Sequence, residues 1–371
     1  MKVLVTGATG FLARYVVPQL LEECTEVVAT ARGPRPDWLA AEAGYVRADL
    51  TSDPLDELVG GVGLVIHLAG ASSSRSTEEE MALVNVAGTA RLADAVVSGA
   101  PGARFVYVSS TSVYGEKTPL PLPVREDGPL LPSRPYGKTK LAAEAAVWEA
   151  VGRGLRALVV RPVSVYGPYN IKLVASAILD ASIERDAGFA ELELSEPAVE
   201  LRLVHGDDAA RALVHLGIRS GDEVLGRAFN LSSPEFPTSH QVGSAIAAAL
   251  GMAPRITTPP PASGSVGPPS VGPPSVGPGS VGPGSVGPGS GSAGLADAER
   301  REVRDRLVAD GRLDPEILLS PRRLAFLTRP NPNNRLSLDA LSETGFVFEH
   351  TDLDAEIVRL VAWYTDHRWI A

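Results

Sequence analysis

The chain contains a single cysteine, Cys24, so it can form neither an intrachain disulfide nor a site with two thiolate metal ligands. Basic residues are also outnumbered: 34 lysines and arginines stand against 44 acidic residues, which gives a net charge of −10. This balance argues against nucleic acid as a partner, because phosphate binding needs a basic surface. The six histidines show no metal-ligand spacing, so we predict no metal site.

Long apolar runs are missing as well. No segment approaches the roughly 18 consecutive apolar residues that indicate a transmembrane helix. The first residues lead directly into a strand and lack the apolar segment and cleavage site of a signal peptide. We therefore expect a cytoplasmic protein without a membrane partner.

What the chain does contain is a regular alternation of short apolar runs and helical patterns. Its 371 residues, 44% of them hydrophobic, are enough to form two lobes. The runs lie at 2–5, 26–30, 45–48, 62–68, 104–108 and 157–160. This alternation predicts an α/β fold with a doubly wound parallel sheet. We assign residues 1–163 to this sheet, with 203–231 returning to it, and residues 164–202 and 232–371 to a smaller mixed C-terminal lobe.

One segment differs in composition from the rest of the chain. From Ser265 onward, Ser-Val-Gly-Pro-Pro and then Ser-Val-Gly-Pro-Gly repeat through five units. Proline removes backbone donors and glycine raises the entropic cost of ordering, so neither a helix nor a ladder is expected. We interpret residues 258–294 as a flexible surface insertion, with a partner-binding loop as the alternative. A charged helix is predicted to follow it at 295–310.

A glycine-containing loop follows the first strand and opens a helix at residues 6–13, Thr-Gly-Ala-Thr-Gly-Phe-Leu-Ala. Gly7 allows the tight turn. Gly10 lets the backbone approach a pyrophosphate, which the helix N-terminus then binds. The segment therefore predicts a dinucleotide site at the start of a Rossmann fold.

A second set of residues is suited to hydride chemistry. Tyr136 and Lys140 lie four residues apart at the start of a predicted helix, so they share a face. A lysine cation near a phenol lowers the pKa of the phenol, which can then act as acid or base toward a carbonyl or an alcohol. Ser110, just past a strand end, can hydrogen-bond the same substrate oxygen.

Taken in order, these motifs resemble the extended short-chain dehydrogenase/reductase family, which includes nucleotide-sugar epimerases, dehydratases and ketoreductases. The matching segments are 6–13, 49–50, 67–70, 85–89, 109–115, 136–140 and 161–168. Ala13 departs from the pattern, since the family usually has a third glycine there for close packing of helix and strand.

The resemblance implies a role for each matching residue. Tyr136 would be the acid/base, Lys140 would orient the nicotinamide ribose, and Ser110 would polarise the substrate oxygen. The implied cofactor-binding residues are Gly7, Gly10, Phe11, Leu12, Arg32, Asp49, Leu50, Leu68, Ala69, Gly70, Asn85, Tyr136, Lys140 and Val163.

The end of the second strand distinguishes NAD from NADP. A carboxylate there binds the ribose 2′-hydroxyl, whereas an arginine accommodates a 2′-phosphate. Ala31 stands at the position of the aspartate found in the family's NAD-using epimerases, and Arg32 follows it, with Arg35 nearby. An arginine can pair with phosphate bidentately, so we predict NADP in preference to NAD.

The substrate side matches the family less closely. Thr111 and Ser112 stand where related dehydratases carry Asp-Glu, so dehydration is not expected. The resemblance implies that Arg329 binds a substrate pyrophosphate. Ser164 replaces a usual asparagine, and Arg202 is displaced by one residue from the family's arginine, which in a strand reverses the face. The predicted substrate residues are Ser110, Ser164, Arg202 and Arg329.

The leading hypothesis is an NADP(H)-dependent oxidoreductase that reduces a keto group of a nucleotide-linked sugar. One alternative is a nucleotide-sugar 4-epimerase with retained NAD. A second is a reductase of a hydroxysteroid or flavonoid-like ketone, which would need no pyrophosphate clamp. A third is a non-catalytic dinucleotide-sensing protein whose repeat recruits a partner, although the tyrosine and lysine are both retained. Homodimer formation is left open.

Overall fold

The computed structural model describes residues 1–23, 26–72, 76–170, 173–258, 297–311 and 331–370. Cys24, residues 259–294 of the predicted insertion, and Arg329 lie outside the described residues. The charged helix predicted after the insertion is confirmed, since a helix runs over Asp297–Ala309.

Seven parallel strands form the central sheet. The strands of the described chain are β1 (Lys2–Thr6), β2 (Glu26–Ala31), β3 (Gly44–Arg47), β4 (Leu64–His67), β5 (Arg104–Val108), β6 (Arg156–Pro162), β7 (Ser164–Tyr166), β8 (Glu191–Ser195), β9 (Leu203–His205), β10 (Ala228–Leu231) and β11 (Ala253–Thr257). The sheet order is β10-β6-β5-β4-β1-β2-β3. The chain therefore reverses direction across the sheet between β1 and β4, and the crevice at such a switch point is where open α/β sheets bind ligands.

Helices cover both faces of this sheet. Those of the described chain are α1 (Ala13–Glu23), α2 (Asp56–Val59), α3 (Glu78–Met81), α4 (Gly88–Gly99), α5 (Pro135–Val151), α6 (Val174–Asp186), α7 (Gly206–Val214), α8 (Ser239–Ala249), α9 (Asp297–Ala309), α10 (Asp339–Ser342) and α11 (Leu353–Asp366). One core layer packs α1 and α7 on the sheet. The other packs α4 and α5 on the opposite face. The predicted doubly wound Rossmann sheet is thus confirmed.

A separate hydrophobic cluster lies outside the sheet layers. It is built from α6, α8, α9 and α11 together with the short parallel pair β8 and β11. Its fully buried members include Val174, Ile178, Val242, Ile246 and Ile357. These four helices and two strands therefore form a second hydrophobic core, separate from the layers of the central sheet.

Local sequence positions α5, the helix that carries Tyr136 and Lys140. Pro135 occupies the first turn, where its ring presets a helical φ and its missing N–H is not needed. Tyr136 consequently enters the first turn, beside the carboxyl edge of the sheet, and Lys140 follows one turn later. Gly137 is also required, since a Cβ there would lie 2.5 Å from the carbonyl oxygen of Ser112.

One helical run, Glu78–Gly99, is long and apolar enough to cross a membrane by length and composition alone. It joins α3, a π-helical segment over Ala82–Ala87, and α4. Leu92 and Val96 of this run are fully buried in the sheet core. These side chains of the run therefore pack against the central sheet.

Candidate active site

The loop between β1 and α1 makes a close turn at the switch point. Gly7 has a φ of +72°, and a Cβ at this position would lie 2.6 Å from the backbone nitrogen of Ala69. The Gly10 N–H donates to the Gly7 carbonyl at 2.8 Å, which closes the turn. Only glycine fits this approach of two strand ends, so the cradle that a dinucleotide backbone needs is present.

A cleft of about 290 Å³ opens directly above this loop. It lies over the carboxyl ends of β1, β2 and β4, where a dinucleotide would bind. Predicted cofactor residues that line it are Gly7, Gly10, Arg32, Asp49, Leu50, Leu68, Ala69 and Gly70. Phe11 and Leu12 do not line this cleft and instead lead into α1. Phe11 contacts Tyr15 edge-to-face, and Leu12 packs against the core.

Two arginines near the ends of β2 and β3, Arg35 and Arg47, make different contacts. Arg35 donates to the carbonyls of Leu39, Ala40 and Ala43, so its guanidinium builds the loop after β2. Arg47, at the end of β3, donates from Nε to the Arg32 carbonyl at 2.8 Å. Sequence reasoning missed Arg47, because the pairing of β2 with β3 alone brings it beside Arg32.

Asp49 is one of the residues that line the cleft. Its Oδ1 accepts from the Thr51 N–H at 2.8 Å and the Thr51 hydroxyl at 2.7 Å. These hydrogen bonds, with a smaller contribution from Arg32, hold the pKa of Asp49 below its usual value. The carboxylate is therefore a fixed, ionised acceptor in the lining of this cleft.

A second cleft of about 210 Å³ adjoins the first and shares Leu68 and Gly70 with it. Its lining includes all three predicted catalytic residues, Ser110, Tyr136 and Lys140, and also Val163. The fold therefore brings together, at one edge of the sheet, side chains from the end of β5, from α5 and from the end of β6.

The protonation of Tyr136 differs from the sequence-based expectation. The motif predicted a phenol pKa lowered by Lys140. In the structure, burial raises the pKa of Tyr136 above its ordinary value, and the Ser110 hydroxyl opposes that shift. The physical reason is that a phenolate loses hydration in the cleft. Tyr136 is thus a phenol at neutral pH and is set up to donate a proton.

Lys140 lies at the base of the cleft and is 4% exposed. Its Nζ donates to the Val108 carbonyl at 2.7 Å and lies 4.6 Å above the centre of the Tyr107 ring. The pKa of Lys140 is lowered to about 8, because the effect of burial exceeds the opposing effect of the Glu144 carboxylate. The ammonium is therefore the predominant form at neutral pH.

Asn85 braces the boundary between the two clefts. Its Oδ1 accepts from the Ala71 N–H at 2.7 Å, and its Nδ2 donates to the Ala71 carbonyl and to the Thr139 hydroxyl, both at 3.0 Å. The side chain ties the strand end after β4 to the helix that carries Tyr136 and Lys140. Its contacts in the protein are those of a scaffold around the site.

The predicted substrate residues are placed less uniformly. Ser164 is partly buried in β7, and its neighbours Val163 and Val165 line the second cleft. Arg202 donates to the Asn333 carbonyl at 3.1 Å, and burial lowers its pKa to about 10. Arg329 is outside the described residues.

Asn333 is a further residue that sequence reasoning missed. Its fully buried amide donates to the carbonyls of Gly115 and Thr118 and accepts from the Leu120 N–H. It thus fixes the loop that follows the serine segment. No local pattern marks it, because all of these partners lie more than 200 residues earlier in the chain.

Two histidines that the sequence leaves scattered meet away from the clefts. The rings of His205 and His350 stack with centroids 4.1 Å apart. His350 places Nε2 3.2 Å from Asp207 Oδ2 and Nδ1 3.0 Å from Glu356 Oε1. The carboxylates, Asp207 foremost, raise the pKa of His350 to about 9, whereas burial lowers that of His205 to about 4.

Ligand atoms of His205, His350 and Glu356 lie within 4.8 Å of one another, the spacing of a possible metal site. The two rings, however, stack face to face with an interplanar angle of 28°. Both ring nitrogens of His350 also face carboxylates. The geometry fits an imidazolium that bridges α7 and α11 better than a metal-ligand set.

This bridge predicts a pH-dependent stability. The raised pKa of His350 stabilises the fold fully below about pH 6.5, and the contribution is lost as pH rises through about 9. We expect the melting temperature to fall between pH 7 and pH 9, and the fall to be smaller in His350→Gln. His367→Gln, which removes an exposed imidazole from the end of α11, is the control. An unchanged slope in His350→Gln would contradict the assignment.

The fold and the two clefts together define a Rossmann-type enzyme that uses a nicotinamide dinucleotide. Residues 3–232 match the model of the NAD dependent epimerase/dehydratase family. The chain belongs to that family, as the motifs predicted.

Similar proteins act on nucleotide sugars by name. A dTDP-6-deoxy-L-talose 4-dehydrogenase (NAD(P)(+)) of Kitasatospora kifunensis is 34% identical over 212 residues, 54% of this chain and 64% of that protein. The chain thus spans less than two thirds of the length of that relative. A UDP-glucose 4-epimerase of Mycolicibacterium smegmatis is 30% identical over 276 residues, 68% of this chain and 83% of the epimerase.

Solved structures agree on the fold. The structure of MoeE5 in complex with UDP-glucuronic acid and NAD has a TM-score of 0.67 at 24% identity, covering 99% of this chain and 100% of MoeE5. At this identity the likeness concerns the fold alone.

Proposed function

We propose that this protein is an NADPH-dependent reductase of a keto group on a nucleotide-linked sugar. The observation that carries the proposal is the single cleft containing Ser110, Tyr136 and Lys140 beside the dinucleotide cleft. A tyrosine that is protonated at neutral pH suits reduction, in which a carbonyl oxygen must receive a proton.

Each residue of the set has a distinct task. When bound, the nicotinamide dinucleotide supplies a hydride. Tyr136 donates its phenolic proton to the substrate oxygen, and Ser110 donates a hydrogen bond to the same oxygen. Lys140 contributes positive charge beside the phenol, which favours the phenolate that remains after transfer.

The preference for NADP rests on Arg32 and its neighbour Arg47. Neither guanidinium has a carboxylate within salt-bridge distance among the described residues, and the Arg47 Nε–H bond to the Arg32 carbonyl holds the Arg47 side chain against the backbone of Arg32. Arg32 lines the cleft together with Asp49, whose charge it stabilises. Its guanidinium would pair bidentately with a 2′-phosphate. Ala31 supplies no carboxylate for the ribose hydroxyl of NAD.

Arg32→Ala is expected to weaken NADPH binding by roughly ten- to a hundredfold, since a charge-assisted hydrogen bond contributes about 1.5–3 kcal/mol. NADH binding should change little. Arg47→Ala should act in the same direction but more weakly, because Arg32 lines the cleft and Arg47 does not. Fluorescence titration of both cofactors measures the effect.

Arg153→Ala, which removes an exposed arginine far from the clefts, is the matched control. If the unaltered protein binds NADH at least as tightly as NADPH, Arg32 is a solvated loop residue. A nucleotide-sugar 4-epimerase with retained NAD is then the favoured function.

A nucleotide sugar is favoured by buried positive charge on the substrate side. Arg202 is a largely buried guanidinium that donates to the neutral Asn333 carbonyl and lies within range of the Glu116 charge. Its other N–H groups would be the donors to a diphosphate. We propose Ser164, Arg202 and Arg329 as substrate-binding residues on this basis and on the family resemblance.

The reaction can be tested with a dTDP-linked 4-keto-6-deoxyhexose and NADPH, following loss of the reduced-nicotinamide absorbance. Reduction of this probe, but not of an unlinked hydroxysteroid ketone, supports the proposal. Mass spectrometry of the denatured protein would distinguish the 4-epimerase, which would carry NAD through purification. Turnover of the steroid ketone alone would overturn the nucleotide-sugar assignment.

A further inference from the structure

A buried acid below the catalytic cleft has no task in the proposed chemistry. Glu144 lies on α5, one turn after Lys140, and is 1% exposed. Its Oε1 accepts from the Ser109 hydroxyl at 2.5 Å and from Arg161 Nε at 3.0 Å, and its Oε2 accepts from Arg161 Nη2 at 2.8 Å. The carboxylate is thus held by three hydrogen bonds, two of them in a close ion pair with Arg161.

Each partner of Glu144 leads to a segment that carries the reacting groups. Ser109 immediately precedes Ser110 at the end of β5. Arg161 lies in β6, directly before Pro162 and Val163, which line the cleft. Since Glu144 shares a helix face with Tyr136 and Lys140, one carboxylate links all three segments of the site.

The network extends beyond the pair of charges. Arg161 Nη1 donates to the Tyr114 hydroxyl and to the Glu126 carbonyl, both at 2.9 Å, and Tyr114 donates to Asn230 Oδ1 at 2.7 Å. Arg161 is 3% exposed, so it would be a stranded charge if Glu144 were lost. The pair is thus embedded in the sheet edge that supports the cleft.

Lys140 has no carboxylate within salt-bridge distance among the described residues, and burial alone would favour its neutral amine. The charge that opposes this effect is that of Glu144, one turn along the helix. The other titratable groups that face Lys140 are Tyr107 on β5 and His67 on β4. Tyr136 on α5 lines the same cleft, and Arg161 of β6 lies behind Glu144.

We propose that Glu144 is a positioning residue that acts on the reaction through Lys140. Its carboxylate maintains the ammonium form of Lys140 inside a dehydrated cleft and fixes the helix that presents Lys140 against the end of β5. The inference rests on the proposed role of Lys140 as the cation beside the Tyr136 phenol.

Competitive acetylation at a series of pH values, followed by peptide mass spectrometry, measures the pKa of Lys140 without substrate or cofactor. We expect Glu144→Gln to lower the pKa of Lys140 by roughly one unit, the size of effect a nearby opposite charge produces. Lys138, exposed two residues earlier on the same helix, is the internal control and should not respond.

A second variant allows the same measurement if Glu144→Gln alone does not fold. Glu144→Gln combined with Arg161→Gln removes both charges, leaves no stranded guanidinium, and should lower the pKa of Lys140 in the same direction. Tyr114→Phe cuts the same network at an uncharged link and should leave the pKa of Lys140 where it was. An unchanged pKa in both Glu144 variants, or a rise toward that of an exposed lysine, would overturn the proposal.

The outcome is separable from that of the proposed function. If Lys140 responds as expected but the keto-sugar probe is not reduced, the positioning role stands and the reductase assignment falls. If the probe is reduced and Lys140 does not respond to Glu144→Gln, the reductase assignment stands and Glu144 is only part of the scaffold.

Discussion

Replacement of Tyr136 by phenylalanine is expected to lower keto-group reduction by roughly 10²–10⁴-fold, the usual contribution of a positioned acid. The phenol lines the second cleft, whereas the dinucleotide cleft is lined by other residues. NADPH binding, measured by fluorescence titration, should therefore persist while turnover is lost.

Tyr169→Phe provides the control for the loss of a tyrosine hydroxyl, since this exposed ring stacks on Arg14 and lies outside both clefts. Its turnover should equal that of the unaltered protein. Near-normal turnover of Tyr136→Phe would refute the assigned acid, and loss of NADPH binding together with turnover would point to a collapsed site.

Gly7→Ala is expected to reduce dinucleotide affinity by roughly a hundredfold or more, equivalent to about 2.8 kcal/mol. The added Cβ would lie 2.6 Å from Ala69 N and 2.7 Å from Ala69 Cα, so the two strand ends must separate. A positive φ adds a cost of about 1–2 kcal/mol for a residue with a side chain.

Gly61→Ala separates these two effects. Gly61 has nearly the same φ, +71°, but a Cβ there would meet nothing within 4 Å. It should lower the melting temperature through backbone strain and leave cofactor affinity intact. Equal loss of affinity in both variants would show that strain, and not the approach of the two strand ends, limits binding at Gly7.

Much of the fold could be predicted from the sequence because its signals are local. Four-to-seven-residue apolar runs that alternate with helical patterns require a parallel sheet covered on both faces, and the structure confirms that sheet. Gly7 and Gly10 could be interpreted from their spacing, since a strand–turn–helix with these glycines has few other uses. The order of the motifs was sufficient to predict the family that the comparisons confirm.

Part of the candidate site could also be predicted from local sequence signals. Two residues four apart on a helix share a face, as Tyr136 and Lys140 do, and Ser110 follows a strand that ends at the same edge of the sheet. Their meeting in one cleft agrees with the sequence argument, while their catalytic roles stay predictions. The preference for NADP also stays a prediction, because it depends on a ligand at Arg32.

Only the tertiary structure decided the properties that depend on partners far apart in the chain. Asn333 holds a loop more than 200 residues earlier, and Arg47 reaches Arg32 through strand pairing. The sequence suggested a lowered pKa for Tyr136, but burial raises it, since dehydration depends on what covers a side chain. Local spacing thus determined the sheet and the order of its motifs, whereas burial and long-range hydrogen bonds determined the charge states within the site.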